Sequence, residues 1–352
     1  MADPVAVLGG GNGAHAAVVD LCVAGFDVRW WVRRPEVAPR DGLRHRGVFG
    51  EGVVHPSLVS DDVSEVVAGA GLVVVPLPAT AQATVLGLLT PTLAAGQVVA
   101  FLPGTFGSAL GAARRPDVVW LEVGTLPYLA RVTGHGEVAI PVRAHRLPTG
   151  SIPGGGPDAD RAHAVFSAAY PASVRVEDGL DAALTNWGPV IHPPLLVHNL
   201  GAIESLAGRF DIHAEGTSPA VRRTMLALDT ERITLRRALG IGGEHWPLAH
   251  HHDRDPRGMY PPDGHEALVA SGLWRESISL DHRYFSEDVE LGLVLNESIG
   301  AAVGHPMPIT SAIIDLLAAA VGRDVRASGR TLASLEVGDL AAARRLAAEG
   351  AR

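Results

Sequence analysis

Short apolar runs alternate with helix-compatible stretches through the first half of the chain, and long apolar stretches at helical spacing fill the second. The run Val5 to Leu8 leads through a glycine-rich turn into a helical pattern, Ala14 to Ala24, then past Gly25 into a second strand pattern, Val28 to Val32. This is the start of a βαβ unit. Leu72 to Val75, ending at Pro76, Gln97 to Leu102, before Pro103-Gly104, and Val118 to Val123, before Gly124, read as further buried strands. Val138 to Arg143 adds another strand, and the Pro/Gly-rich stretch Leu147 to Pro157 reads as a surface loop. From Trp187 onward the pattern is helical: Pro193 to Leu206, Pro219 to Leu239, Asp288 to Val303 and Ser311 to Val321. The 352 residues therefore divide into an α/β dinucleotide-binding domain of the Rossmann kind, residues 1–182, and an all-α domain, residues 183–352.

The first turn carries the most chemistry. Gly9, Gly11 and Ala14 fit the fingerprint in which one glycine makes a tight turn, the next admits a pyrophosphate and a small third residue lets helix pack on strand. Asn12, Gly13 and, beyond the strand 72–75, Pro78 are expected to complete the cofactor contacts. After the second strand, NAD sites place an acid for the ribose 2′-hydroxyl, and NADP sites place a basic residue for the 2′-phosphate. Here the chain reads Trp30-Trp31-Val32-Arg33-Arg34, with no acid before Glu36, so Arg33 and Arg34 favour NADP(H) over NAD(H). Trp30 and Trp31 alternate across the strand, with one expected inside and the other beside the adenine.

Composition narrows the function. All 29 basic residues are arginine and the net charge is −9. Without lysine there is no Schiff-base residue, no P-loop lysine and no lysine acid or base. An acidic chain with no basic run argues against nucleic acid, and no stretch gives the ~20 clean apolar residues of a membrane span. With one cysteine, Cys22, and no signal-like start, a reducing cytoplasm is the expected compartment and small molecules the expected partners. The apolar helical faces of the second domain are compatible with a homodimer.

A dehydrogenase also needs a proton donor or acceptor, and histidine suits that role. His192 precedes Pro193-Pro194 and is expected near a helix N-cap. There the dipole disfavours imidazolium, so a carboxylate partner is needed. Asp288 is a candidate for that partner, although Ser286 as an N-cap with Glu287 and Asp288 in the first turn would also suit a helix start without catalysis. Arg283 could take a carboxylate in a two-pronged contact. Spacing alone does not bring His192, Arg283 and Asp288 together. The triplet His250-His251-His252 lies among prolines and glycines and reads as a loop, with no metal expected, and Cys22 reads as a packed hydrophobe.

Several segments together resemble the octopine/nopaline (opine) dehydrogenase family: Gly-Gly-Gly-Asn-Gly-Ala-His at 9–15, Leu-Pro-Gly-Thr-Phe-Gly at 102–107, Thr-Leu-Pro-Tyr at 125–128 and Ile-His-Pro-Pro at 191–194. Asp-His-Arg-Tyr at 281–284, Glu-Asp-Val at 287–289 and Gly-Arg-Thr-Leu at 329–332 extend the likeness nearly end to end. The resemblance implies reductive condensation of a 2-oxo acid with an amine or amino acid, in which an imine forms and takes a hydride from the nicotinamide. By motif position it implies His192 as the acid/base residue, Asp288 as its orienting partner, Arg283 as an anchor for a substrate carboxylate and Tyr128 as a substrate contact. The chain departs from the family at Glu290-Leu291-Gly292-Leu293, where Pro-Tyr-Gly-Leu is common, and at Leu295, where a proline is often seen. Glycerol-3-phosphate dehydrogenase and ketopantoate reductase share the two-domain plan, but both rely on a catalytic lysine that this chain lacks. The alternatives are a reductase of a 2-oxo acid or of a pre-formed cyclic imine, and a non-enzymatic NADP(H)-binding regulator.

Overall fold

Four-residue runs of valine, alanine, leucine and tryptophan are long enough to cross a sheet and too short for a stable helix, and in the first unit they pair accordingly. The computed structural model of the chain describes residues 3–39, 41–206, 209–275 and 278–350. Two units result: residues up to Ala183 with Met259–Pro261 and the stretch from Arg344, and Leu184–Gly258 with Pro262–Ala343. The break after Ala183 lies one residue beyond the expected boundary, and two later segments return to the first unit. Within that unit the His145 and Arg146 N–H groups donate to the Met259 carbonyl, and Gly154 N–H donates to Ala348.

Among the described residues of the first unit there are twelve strands: β1 (Val5–Leu8), β2 (Val28–Trp31), β3 (Leu43–Gly47), β4 (Gly52–Val54), β5 (Leu58–Ser60), β6 (Leu72–Val75), β7 (Val98–Phe101), β8 (Val119–Val123), β9 (Tyr128–Gly134), β10 (Glu137–Arg143), β11 (Leu147–Ile152) and β12 (Ser173–Arg175). Eight form the main sheet, ordered β12-β11-β8-β7-β6-β1-β2-β5. Its pairs are parallel except β8 with β11. Val5 lies opposite Val28 on one side and Leu72 on the other, so the strand order reverses at β1. Such a reversal is where open parallel sheets bind ligands, outside the carboxyl ends of the strands. Strands β1, β6, β7 and β8 are buried along their whole length, as expected for strands covered on both faces.

The remaining four strands form a second sheet, β4-β3-β10-β9, so the strand expected at 138–143 belongs there. The loop expected at 147–157 is in its first half β11, a fully buried strand. Its prolines and glycine misled the pattern for a local reason. A Cβ on Gly150 would stand 1.8 Å from the Asp178 carbonyl, so the glycine marks a close backbone approach within a strand. Trp30 and Trp31 are both buried, correcting the expectation that one flanks the adenine: their indole N–H groups donate to the carbonyls of Gly9 and Asp61.

The second unit is helical, with Gly188–Leu206, Pro219–Ala238, Gly264–Ser271, Val294–Ala302 and Pro308–Val321 as its longer helices. Two expectations change here. The first helix begins at Gly188, so His192 lies in its second turn, and Pro193 and Pro194 are inside the helix. The stretch 288–303 is split into a π-helical segment, Asp288–Leu293, and the helix Val294–Ala302, while Ser286 ends a short helix, Arg283–Ser286. The triplet 250–252 lies in a short helix, Ala249–His252. Among the described residues no group of three His, Cys, Asp or Glu is arranged to hold a metal, and no helix is long and apolar enough to cross a membrane.

Candidate active site

In the first unit, the turn after β1 opens into the helix Asn12–Val23 with no side chain capping its N-terminus. Gly9 has φ +127°, and a Cβ there would press on Leu77, so the fold itself demands glycine. Gly11 is different: a Cβ would meet no atom within 4 Å, which leaves exposed backbone and open space at the positive end of the helix. Ala14 is fully buried, and Gly13 packs against Pro76 and Leu126. Asn12 Oδ1 accepts the Val132 N–H at 2.8 Å, tying the turn to β9. Behind the turn, buried His15 donates from Nδ1 to the Gly11 carbonyl at 2.9 Å, and burial lowers its pKa. Pro78 is half-buried, next to the Leu77 that touches Gly9. Arg33 and Arg34 are exposed, and among the described residues neither side chain has a hydrogen-bond or ion-pair partner.

The second unit brings together two residues 96 positions apart in sequence. His192 Nδ1–H donates to Asp288 Oδ2 at 2.7 Å, with the His192 side chain 20% exposed and that of Asp288 8%. Close backbone packing makes the meeting possible. A Cβ on Gly188 would stand 2.3 Å from Asp288 Oδ1, and one on Gly292 would stand 2.4 Å from Pro189 Cγ. Two glycines thus let the helix Gly188–Leu206 and the π-helical segment approach until the carboxylate reaches the imidazole. Burial raises the Asp288 carboxyl to about 7, and the positive charge of Arg283 opposes that rise. Asp288 stands in the first turn of the π-helical segment, and its carboxyl is buried and bonded to His192.

Arg283 is part of the same neighbourhood. Its guanidinium is 3.8 Å from buried Glu287 and 5.6 Å from the Tyr284 ring centre, and its side chain is 45% exposed. Tyr128 is the correction. It is fully buried in the first unit, where its hydroxyl donates to Asp20 at 2.8 Å. Arg143 reaches the same carboxylate at 3.0 Å, so the phenol belongs to a buried polar network and presents no atom to a substrate. Sequence reasoning missed Tyr284 and His213. The Tyr284 ring lies 3.7 Å from His192, centre to centre and 8° from parallel, and its hydroxyl bonds His213 Nε2 at 2.8 Å. Tyr284 stood in the Asp-His-Arg-Tyr segment without a role, and nothing around His213 in the sequence marked it.

A mostly parallel sheet with a glycine turn at its reversal, and a helical unit in which a histidine bonds a buried aspartate, are the parts of a dinucleotide-dependent dehydrogenase that joins a Rossmann domain to a helical domain. Residues 175–321 match the family described as NAD/NADP octopine/nopaline dehydrogenase, alpha-helical domain. An opine dehydrogenase of Arthrobacter sp. (strain 1C) is 29% identical over 351 residues, covering 96% of each chain. Octopine dehydrogenase with NADH and pyruvate superposes with a TM-score of 0.73 at 17% identity over 97% of each chain. Yersinopine dehydrogenase with NADP+ gives 0.66 at 17% identity over 98% of this chain and 97% of that one. The match over residues 175–321, the Arthrobacter relative and the solved structures together support the octopine/nopaline (opine) dehydrogenase family for this chain.

Proposed function

We propose that this protein is an NADPH-preferring opine-type dehydrogenase that condenses a 2-oxo acid with an amine or amino acid and reduces the resulting imine. The observation that carries the reading is the 2.7 Å bond between His192 and buried Asp288 inside the segment that matches the family. Gly9, Gly11, Gly13 and Ala14 form a turn able to take a pyrophosphate, with Asn12 and Pro78 at its edge. The open space at Gly11 and the uncapped helix behind it fit a dinucleotide. Held there, the reduced nicotinamide supplies a hydride to the substrate carbon.

The chain's own residues handle protons and charge. With Nδ1–H committed to Asp288, His192 gives and takes a proton at Nε2, and the carboxylate holds the tautomer and stabilises the imidazolium when it forms. Burial raises the Asp288 carboxyl to about 7, so its own charge changes near neutral pH. Arg283, half-exposed and held at 3.8 Å by Glu287, is the proposed anchor for the oxo-acid carboxylate. Arg33 and Arg34, exposed just beyond β2, are the proposed 2′-phosphate contacts.

The test is oxidation of NADPH, with NADH in parallel, against a panel of 2-oxo acids and amines, each omitted in turn. Dependence on both partners is expected. Oxidation with the oxo acid alone would make this a carbonyl reductase, and cofactor binding without turnover on any pair would favour the regulator.

A further inference from the structure

A single hydrogen bond fixes one atom of an imidazole and leaves the ring able to pivot about that bond. For His192 the bond is at Nδ1, so a second constraint is needed before Nε2 has a direction. The second unit contains one. Tyr284, 1% exposed, lies face to face with His192 at 3.7 Å and 8°. The phenol is itself held on several sides. Its hydroxyl bonds His213 Nε2 at 2.8 Å, its backbone N–H donates to His282 Nδ1 at 3.3 Å, and the His282 ring stands edge-on at 4.4 Å. His213 is buried and sits on a tied turn, with Asp211 Oδ1 accepting from the N–H groups of His213 and Ala214 and Glu215 Oε2 accepting from Asp211 N–H. The His213 ring is nearly perpendicular to both Tyr284 and His192, at 89° and 81°.

We infer that Tyr284 and His213 are a positioning pair for His192: the phenol face fixes the plane of the imidazole, and the bond from the hydroxyl to His213 fixes the phenol. This rests on the reading of His192 as the acid/base residue. Asp288 sets where Nδ1 is, Tyr284 sets how the ring is turned, and together they aim Nε2. His213 holds Tyr284 through that hydroxyl bond, which makes the two dependent on each other.

The dependence gives the test. Tyr284→Phe removes the hydroxyl and keeps the wall, His213→Gln removes its partner, and the double variant removes both ends of one bond. Each single change should lower kcat severalfold with KM for NADPH nearly unchanged, and the double variant should lose no more than the worse single. Tyr284→Leu removes the wall and should cost on the order of 10- to 100-fold in kcat, of which Tyr284→Phe restores most. Independent costs in the double variant, or Tyr284→Phe as impaired as Tyr284→Leu, would overturn the inference.

Histidine side-chain NMR, with the His192 signals assigned through His192→Asn, gives a readout that needs no turnover. The full-length protein should show one His192 tautomer with ring protons shifted by the face of Tyr284. That shift should survive in Tyr284→Phe and disappear in Tyr284→Leu. A His192 spectrum unchanged in every variant would overturn the positioning role, whereas the expected spectra without turnover on any substrate pair would instead refute the functional reading. If Tyr284→Leu does not fold, the cycle between Tyr284→Phe and His213→Gln decides alone.

Discussion

Replacing Asp288 by asparagine changes charge with little change in volume, and the structure predicts opposite effects on turnover and on stability. His192 Nδ1 bonds Asp288 Oδ2 at 2.7 Å. An amide in that place offers either an oxygen or an NH2 group. When the NH2 faces Nδ1, the ring proton moves to Nε2 and the base loses its acceptor. Acid/base catalysis of this kind is worth about 10^2- to 10^4-fold, or ~3 to 5 kcal/mol at ~1.4 kcal/mol per tenfold. Asp288→Asn should lower kcat by that order. The NADPH dissociation constant, read by cofactor fluorescence, should hardly move, because the glycine turn lies in the other unit. Stability runs the other way. The carboxyl ionises at its ordinary 3.8 in the unfolded chain and at about 7 in the folded one, where burial disfavours the charge. The folded protein holds this proton over that interval, so its stabilising contribution is full below pH 3.8 and lost as the pH rises through 7. At ~1.4 kcal/mol per pH unit the loss is at most about 4 kcal/mol, reduced by whatever attraction the paired imidazole returns. The variant has no such carboxyl. Its melting temperature should therefore gain on that of the unaltered protein between about pH 4 and pH 7. Intact turnover together with a melting-temperature difference independent of pH would refute both halves of the argument.

Arg33→Asp should move the ratio of kcat/KM for NADPH over NADH toward NADH by tenfold or more on the order expected for losing a charged phosphate contact; an unchanged ratio refutes the 2′-phosphate reading. Gly11→Ala should leave the melting temperature unchanged and weaken NADPH binding, since its Cβ meets no protein atom. Gly9→Ala, at φ +127° and 2.6 Å from Leu77, should lower the melting temperature as well. Tyr128→Phe should cost about 1 to 3 kcal/mol in denaturant unfolding by stripping Asp20 of a buried donor, with substrate KM values unchanged; a raised KM would restore Tyr128 as a substrate contact.

The sequence disclosed what local rules govern. A four-residue apolar run, a glycine turn and a helix of small residues suffice to announce β1, the turn after it and the helix Asn12–Val23, because turn geometry and helix packing restrict each position separately. Local rules failed at β11, where Pro148, Gly150 and Pro153 suggested a loop. The strand is held by antiparallel pairing of Thr149–Ile152 with Trp120–Val123, and by the backbone of Asp178 lying over Gly150, neither of which leaves a trace in the residues themselves. Tyr128 failed for a similar reason. Its motif suggested a substrate contact, but a carboxylate 108 positions away takes its hydroxyl inside the core.

The pair His192–Asp288 shows why spacing could not have decided the site. Neither residue is placed by its immediate neighbours: the prolines after His192 suggested a helix start, and the acids around Asp288 suggested a cap. What joins them is the crossing at Gly188 and Gly292, where any side chain would stand within 2.4 Å of the opposing segment. The departure at Glu290-Leu291 from the family's common sequence lies in the segment that makes this crossing, and the structure shows where Glu290 is absorbed. Glu290 turns its carboxylate to Arg323 and its carbonyl to the Arg330 N–H, so that position braces the π-helical segment from the side of residues 323–330. Gly292, which the crossing requires, is kept. The sequence thus varies in the support of Asp288 and holds the glycine that lets it reach His192. Changes around the His192–Asp288 pair that leave the pair itself in place are the reason the substrate panel in the first assay has to extend beyond pyruvate and the common amino acids.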